Sequence, residues 1–127
     1  MARPPAKELT ERELEVMQVF WKQGGGTAAE IRDQLAAAGQ DLAYTTVATL
    51  IRILTEKGFV KQTTRERPFV FCPIRSYEEV SGRMLDDLLD RVFQGSREEL
   101  LVRLVDQRKL SAKERALLTQ ILKERKS

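Results

Sequence analysis

The sequence has no histidine and a single cysteine, and both shortages limit the chemistry available to the protein. Without histidine there is no imidazole base and no histidine metal ligand. The lone Cys72 excludes an internal disulfide, cannot form a thiolate metal site within one chain, and fits a reducing compartment. We therefore expect no catalytic residue, no metal site and no cofactor, which argues against an enzyme.

Long apolar runs and a strong charge of one sign are also missing. No stretch approaches about 18 apolar residues, and residues 1–5 are not followed by an apolar segment. We therefore expect neither a membrane span nor a signal peptide, and a cytoplasmic location. The net charge of +3 permits binding to nucleic acid without requiring it. With 127 residues, 42% of them hydrophobic, the chain suits one globular domain or a small domain with an appendage.

Five serine or threonine residues are each followed by glutamate three positions later, which is the spacing of a capping box. In such a box the hydroxyl and the carboxylate each accept a hydrogen bond from an otherwise unpaired backbone N–H, so each pair predicts a helix start. The first two helices are predicted over residues 11–22 and 27–38. The five pairs are Thr10/Glu13, Thr27/Glu30, Ser76/Glu79, Ser96/Glu99 and Ser111/Glu114.

A further helix without such a box is predicted over residues 42–57, before Gly58. Residues 59–64 and 69–72 are β-prone and flank a polar turn, which predicts a hairpin with a charged tip. The cluster at residues 24–26 lacks the Gly-Lys-Ser/Thr of a phosphate-binding loop and is interpreted as a flexible helix stop. The predicted fold is mainly α with a small β-hairpin wing: a winged helix-turn-helix domain over residues 9–75, preceded by a disordered tail, residues 1–8.

Residues 76–127 are predicted to form three more helices that dimerise the protein. Apolar residues cover more than half the circumference of the helix over residues 77–93, which is more surface than a small appendage can bury on itself. The alternative is that the three helices pack onto the first domain. Residues 123–127 are expected to fray. The expected dimer surface comprises Val80, Met84, Leu85, Leu88, Leu89, Val92, Phe93, Leu100, Leu104, Leu118 and Ile121.

The third helix has an unusual outer face. At about 100° per residue, its apolar side chains fall on one side, with threonines and an arginine opposite. No acid occurs there until Glu56, although a solvated helix face is normally rich in charged residues of both signs. A helix that enters the major groove needs small hydroxylated side chains near base edges, and basic residues nearby can contact phosphates. The predicted contacts are Tyr44, Thr45, Thr46, Thr49, Arg52, Lys61, Arg65 and Arg67, with Lys57 flanking the helix.

Four segments in order resemble the penicillinase-repressor (BlaI/MecI/CopY) family of dimeric winged-helix repressors, over residues 9–122. They are Leu-Thr-Glu-Arg-Glu-Leu-Glu-Val-Met from residue 9, Thr-Ala-Ala-Glu-Ile from residue 27, Ala-Tyr-Thr-Thr-Val-Ala-Thr-Leu from residue 43, and Val-Phe-Gln-Gly-Ser from residue 92. The resemblance implies a dyad-symmetric DNA operator, contacted by Thr45, Thr46 and Thr49 and by the hairpin tip at Arg65 and Arg67. It also implies a homodimer held together by the C-terminal helices.

The resemblance further implies how the repressor is released. In the penicillinase branch a membrane-bound sensor protease triggers cleavage within the dimerisation segment, and the corresponding pair here is Arg103-Leu104. That branch has Asn-Phe at the cut, so the same protease specificity is not expected. The Cys-x-Cys pattern of the copper-responsive branch is absent, which disfavours copper sensing. The rival interpretation is a winged-helix adaptor that binds proteins and never DNA, favoured by the low net charge.

Overall fold

A computed structural model describes residues 9–107 and 110–124. The predicted tail, residues 1–8, and residues 125–127 of the expected frayed end lie outside this range. In the described residues the chain forms six helices and three short strands. They are α1 (Glu11–Gln23), β1 (Gly26–Thr27), α2 (Ala28–Ala37), α3 (Tyr44–Glu56), β2 (Val60–Gln62), β3 (Val70–Pro73), α4 (Tyr77–Phe93), α5 (Arg97–Gln107) and α6 (Ala112–Glu124).

The five predicted helix starts are confirmed, because α1, α2, α4, α5 and α6 each begin one residue after the predicted cap. Complete capping boxes form at Thr10, Thr27 and Ser111. At Ser76 and Ser96 the serine hydroxyl accepts from the glutamate N–H at 3.0 and 3.1 Å, respectively. These local hydrogen bonds set where each helix begins.

The predicted hairpin is confirmed, but the sheet has a third strand that the prediction missed. Strands β2 and β3 pair antiparallel, with Lys61 opposite Cys72, and β1 pairs with the other edge of β3. The interpretation of residues 24–26 as a flexible stop was therefore wrong in part. Gly24 does end α1, in the left-handed conformation, but a Cβ on Gly25 would lie only 2.9 Å from the carbonyl oxygen of Phe71. Glycine there allows two backbones to approach closely.

The first compact unit of the chain contains the hydrophobic core and extends to Arg83, beyond the predicted domain boundary at residue 75. Three side chains explain the difference. The Trp21 Nε1 donates a 2.8 Å hydrogen bond to the Arg75 carbonyl oxygen, and the Trp21 ring meets the Tyr77 ring edge-on at 5.4 Å. Val80 is only 6% exposed. The fully buried core side chains are Val16, Met17, Phe20, Ile31, Leu35, Val47, Ile51, Leu54 and Val60.

The second compact unit begins at Met84 and has little core of its own. Among residues 84–105 and 110–124, no side chain is buried. Of the described helices, none is both long enough and apolar enough to cross a membrane.

Candidate nucleic-acid interface

Helix α3 divides into the two faces that its sequence predicts. Val47, Ile51 and Leu54 are at most 1% exposed and anchor the helix in the core. The opposite face is open to solvent. Its exposed side chains are Tyr44, Thr45, Thr46, Thr49 and Arg52.

The N-terminus of α3 differs from those of the capped helices. Ala43 occupies the N-cap position, and no described side chain caps the helix there. No acidic residue occurs in its first turn either. The amides of the first turn thus retain their hydrogen-bonding capacity, and the helix dipole makes this end favourable for an anion such as phosphate.

Arg52 has a partner on the same helix. Its guanidinium lies 2.8 Å from the Glu56 carboxylate, with the two side chains 62% and 63% exposed. An ion pair so exposed contributes little to stability because water and salt screen it. Arg52 can therefore exchange this carboxylate for a phosphate or a base edge at little cost.

The hairpin carries the other predicted cations, with Lys61 on strand β2 and the two arginines at the tip. Lys61, Arg65 and Arg67 are exposed, and so is Glu66 between the two arginines. The Arg67 guanidinium lies 5.4 Å from the centre of the Phe69 ring, which restricts its position.

Two of the predicted residues come together across one cleft, which lies between α2, α3 and the hairpin. Tyr44 of α3 and Arg67 of the hairpin tip both line it, and its volume is about 580 Å³. The structure therefore places the first turn of α3 beside the wing, as a combined DNA-facing surface requires. Arg52, Lys61 and Arg65 lie outside the lining of this cleft.

Lys57, predicted to flank the helix, forms an ion pair with α1. Its Nζ atom lies 2.6 Å from the Glu13 Oε1 atom, and Glu13 is only 4% exposed. The same carboxylate accepts the Thr10 N–H of the α1 capping box at 3.1 Å. The pair thus ties the start of α1 to the end of α3, so Lys57 helps to position α3.

The environment of Glu13 lowers its pKa. Burial alone would raise the pKa of this carboxyl group, but the hydrogen bonds from Lys57 and Thr10 and the charge of Lys57 outweigh that effect. The prediction missed this residue beyond its role as a cap. The available signal was its position four residues before Met17 and seven before Phe20, which places a charge on the apolar face of α1.

The residues predicted to dimerise the protein fall into two groups. Val80 belongs to the core of the first unit, so its side chain is already buried and is not part of the predicted dimer surface. Leu89, Phe93 and Leu100 are half-buried. The remaining seven are exposed: Met84, Leu85, Leu88, Val92, Leu104, Leu118 and Ile121.

Further apolar side chains of α5 and α6 are exposed beside these residues. They are Leu101, Val102, Val105, Leu117 and Leu122. Arg103 and Leu104, the pair at the implied release position, are also exposed, in the second half of α5.

Carboxylate and thiol groups are not clustered in a way that suggests a metal site. No group of three or more such side chains that could hold an ion occurs in residues 9–107 and 110–124.

Comparison with known proteins identifies the family. The family model described as penicillinase repressor matches residues 9–124. A transcriptional regulator BlaI of Mycobacterium tuberculosis is 32% identical over 99 residues, covering 77% of this chain and 72% of that protein. A penicillinase repressor of Bacillus licheniformis is 26% identical over 120 residues, covering 94% and 93%.

A solved structure agrees with these matches. The solution structure of the DNA-binding domain of the repressor BlaI superposes with a TM-score of 0.51 at 25% identity, covering 61% of this chain and 93% of that one. The predicted fold and the predicted resemblance are both confirmed. This chain belongs to the penicillinase-repressor family, whose members are transcriptional repressors and not enzymes.

Proposed function

We propose that the protein is a homodimeric transcriptional repressor that binds a dyad-symmetric DNA operator. The observation that carries this proposal is the outer face of α3. Three threonines stand exposed there, the first turn is uncapped, and the face holds no acid before Glu56. Such a face suits close approach to base edges and phosphates, whereas an ordinary solvated helix face would carry acids throughout.

The hairpin supplies the second set of contacts. Lys61 is exposed on strand β2, and Arg65 and Arg67 are exposed at the hairpin tip, where cations can reach the DNA backbone beside the groove that α3 would enter. The similarity to a DNA-binding domain of a repressor supports this arrangement, because that domain matches the first unit's fold.

Dimerisation follows from the exposed apolar surface of the second unit. Twelve large apolar side chains between Met84 and Leu122 are 42–63% exposed. A surface of this kind is stable in water only when another molecule covers it, and a second copy of the chain offers the same apolar face. In a symmetric dimer the two α3 helices would enter major grooves about one helical turn, or a multiple of it, apart.

Release of the repressor by proteolysis is part of the proposal, with a membrane sensor protease as partner. The cut would fall between Arg103 and Leu104, which are exposed on α5 among the dimerising residues. Cleavage there would remove the end of α5 and all of α6 from the dimer surface. Incubation of the protein with a membrane sensor protease from the same organism, followed by mass spectrometry of the products, tests this position, and an intact chain would contradict it.

The proposed function is tested by fluorescence anisotropy with DNA from upstream of the protein's own gene, over a series of salt concentrations. We expect Arg67→Ala to weaken binding to all sequences and to reduce the slope of log affinity against log salt by about two, one phosphate per protomer. Lys22→Ala, which removes the same charge from an exposed site on α1, should leave the slope unchanged. If the slope is the same in both variants, Arg67 is not on the DNA backbone.

The adaptor interpretation makes the opposite prediction for the same titration. A protein that recognises only other proteins would bind no upstream duplex even at low salt. That result would overturn the repressor function.

A further inference from the structure

We propose that the cleft between α2, α3 and the hairpin binds a small aromatic carboxylate, and that the bound ligand weakens DNA binding. The ligand site rests on the structure of the cleft alone. Its effect on DNA rests also on the proposed function.

The size and walls of the cleft suit a small ligand with an aromatic ring. Its volume of about 580 Å³ falls within the range of roughly 300–1,000 Å³ that is typical of ligand sites. Ala28 and Ile51 are core residues, so the floor of the cleft reaches the hydrophobic core. A ring placed there would contact apolar side chains on the floor and walls of the cleft. The apolar walls are Ala28, Ala29, Ala48, Ile51, Phe69 and Phe71.

The charge of the cleft selects a carboxylate. Arg67 is the one charged side chain in its lining, and within the described parts of the chain it has no ion-pair partner. Phe69 holds the guanidinium from one side. A guanidinium binds a carboxylate through two parallel hydrogen bonds, and the Tyr44 hydroxyl at the same cleft offers a further donor.

Other ligand classes fit less well. A cation would meet the unpaired positive charge of Arg67. A free phosphate would use Arg67 but leave the apolar walls in contact with water. A neutral aromatic compound would use the walls and leave the guanidinium without an anion. Unlike these three classes, an aromatic anion uses both features, and its ring can stack on Phe69 or Phe71 of the walls.

The ligand and DNA would compete for the same side chains. Tyr44 and Arg67 line the cleft and also belong to the surface proposed to contact DNA. A carboxylate bound to Arg67 occupies the guanidinium that would otherwise neutralise a phosphate. The linkage is reciprocal, so operator DNA should weaken ligand binding by the same factor.

The site is tested by calorimetric titration of the full-length protein, without DNA, with naphthalene-2-carboxylate and with its uncharged match, naphthalene-2-carboxamide. We expect saturable binding of one carboxylate per protomer. The carboxamide should bind at least about tenfold more weakly than the carboxylate, because it lacks the charge-assisted hydrogen bonds to Arg67. Absence of saturable binding by the carboxylate, or equal binding of the two compounds, would overturn the proposal.

Three variants locate the binding. Ala48→Leu fills the cleft and should abolish binding, while Arg67→Gln should weaken the carboxylate about tenfold and leave the carboxamide unaffected. Arg65→Gln removes the same charge from the hairpin tip outside the cleft and should bind both compounds as the natural protein does. Circular dichroism of each variant confirms folding. Unchanged carboxylate binding by folded Ala48→Leu would place the ligand elsewhere and overturn the proposal.

The effect on DNA is measured separately. Saturating naphthalene-2-carboxylate should lower operator affinity about tenfold, and the carboxamide at the same concentration should lower it much less. Ligand binding with unchanged operator affinity would overturn the antagonism. A protein that binds the carboxylate but no operator would support the ligand site and overturn the repressor function together with the antagonism.

Discussion

Threonines beyond the N-cap, within the turns of a helix, are unfavourable, because their branched side chains lose rotamer freedom there and their hydroxyls favour other backbone conformations. In α3, Thr45, Thr46 and Thr49 are all exposed, so they do not compensate by packing in the core. None of them caps the helix. Their presence is best explained by what they offer to a molecule outside: a hydroxyl that donates or accepts and a methyl group that can touch a thymine methyl.

Replacing these threonines should therefore change sequence preference more than overall affinity. We expect Thr46→Ala or Thr49→Ala to change discrimination between operator and single-base variants by about 1 kcal/mol, or roughly fivefold. Competition binding with a library of operator variants measures this shift. Equal losses on operator and random DNA would show that the threonines contact only the backbone.

The ion pair between Glu13 and Lys57 links two helices of the first unit. The Glu13 carboxylate is almost inaccessible to water, and the Lys57 side chain is 27% exposed. Since the pair joins α1 to the end of α3, it helps to hold the helix proposed to contact DNA against the core.

We expect Glu13→Gln to lower the free energy of unfolding by about 2 kcal/mol near neutral pH, because it removes a largely buried charge-assisted interaction. Denaturant unfolding at a series of pH values measures this. The pKa of Glu13 is lower in the folded chain than its ordinary value near 4.5. The contribution of the Glu13 charge to the free energy of unfolding is thus fully present above about pH 4.5. It is lost as the pH falls through the folded-state pKa.

The variant should therefore approach the natural protein in stability as the solution becomes acidic. Glu15→Gln is the control, because the one ion pair of Glu15 among the described residues is a long 3.4 Å contact with the exposed Arg12. A constant difference between Glu13→Gln and the natural protein across this pH range would show that the carboxylate charge is not what stabilises the fold.

At the scale of the element, the helices differ in how they begin. Serine or threonine caps open α1, α2, α4, α5 and α6, whereas α3 begins at an alanine cap and forms no side-chain cap hydrogen bond with any described residue. Such a start forgoes stability, since a good N-cap contributes about 1 kcal/mol. A phosphate bound at this end would supply the missing acceptor.

A charged cap introduced at Ala43 should raise the stability of the fold and lower its affinity for the operator. We expect Ala43→Asp to stabilise the fold by about 1 kcal/mol, because it accepts from the first-turn amides and favours the helix dipole. It should weaken operator binding about tenfold or more, since its charge occupies the place of the phosphate. Thermal unfolding and anisotropy on the same preparation measure both effects.

Ala43→Ser is the matched control, with a similar cap and no charge. We expect it to stabilise the fold with a smaller loss of DNA affinity. If Ala43→Asp bound the operator as tightly as the natural protein, the phosphate would lie elsewhere.

At the scale of the whole molecule, the two units differ in how much of their apolar side-chain surface is buried. The first has a core of fully buried side chains, to which Val80 from the start of α4 also belongs. The second leaves leucines and valines of three helices open to solvent, which is why a second copy of the chain is the expected cover.

We expect Leu88→Asp to convert the dimer to a monomer, because a carboxylate on each partner would have to be buried beside the other. Light scattering after size exclusion should show half the mass, and operator affinity should fall. Leu88→Ala is the uncharged control. It removes apolar contact without adding a charge, and should weaken the dimer without dissociating it at high protein concentration. A dimer that survives the aspartate would place the interface on another surface.

Much of the fold was predictable because its signals are local. A capping box involves residues three apart, a hairpin is defined by a polar turn between two β-prone runs, and the two faces of α3 follow from the helical period. The exposed threonines and the hairpin arginines could therefore be identified as candidates without the structure.

Other features depend on residues far apart in the chain, and only the tertiary structure decided them. Gly25 becomes a close backbone contact once β3 folds beside it, and Glu13 meets Lys57 from 44 positions away. Val80 is buried because Trp21 and Tyr77 hold the start of α4 against the first unit. The sequence by itself determined the six helices, the hairpin and which faces are polar, but not strand β1. Which of those faces meet was decided by packing, because burial and charge pairing depend on distance in space and not on distance along the chain.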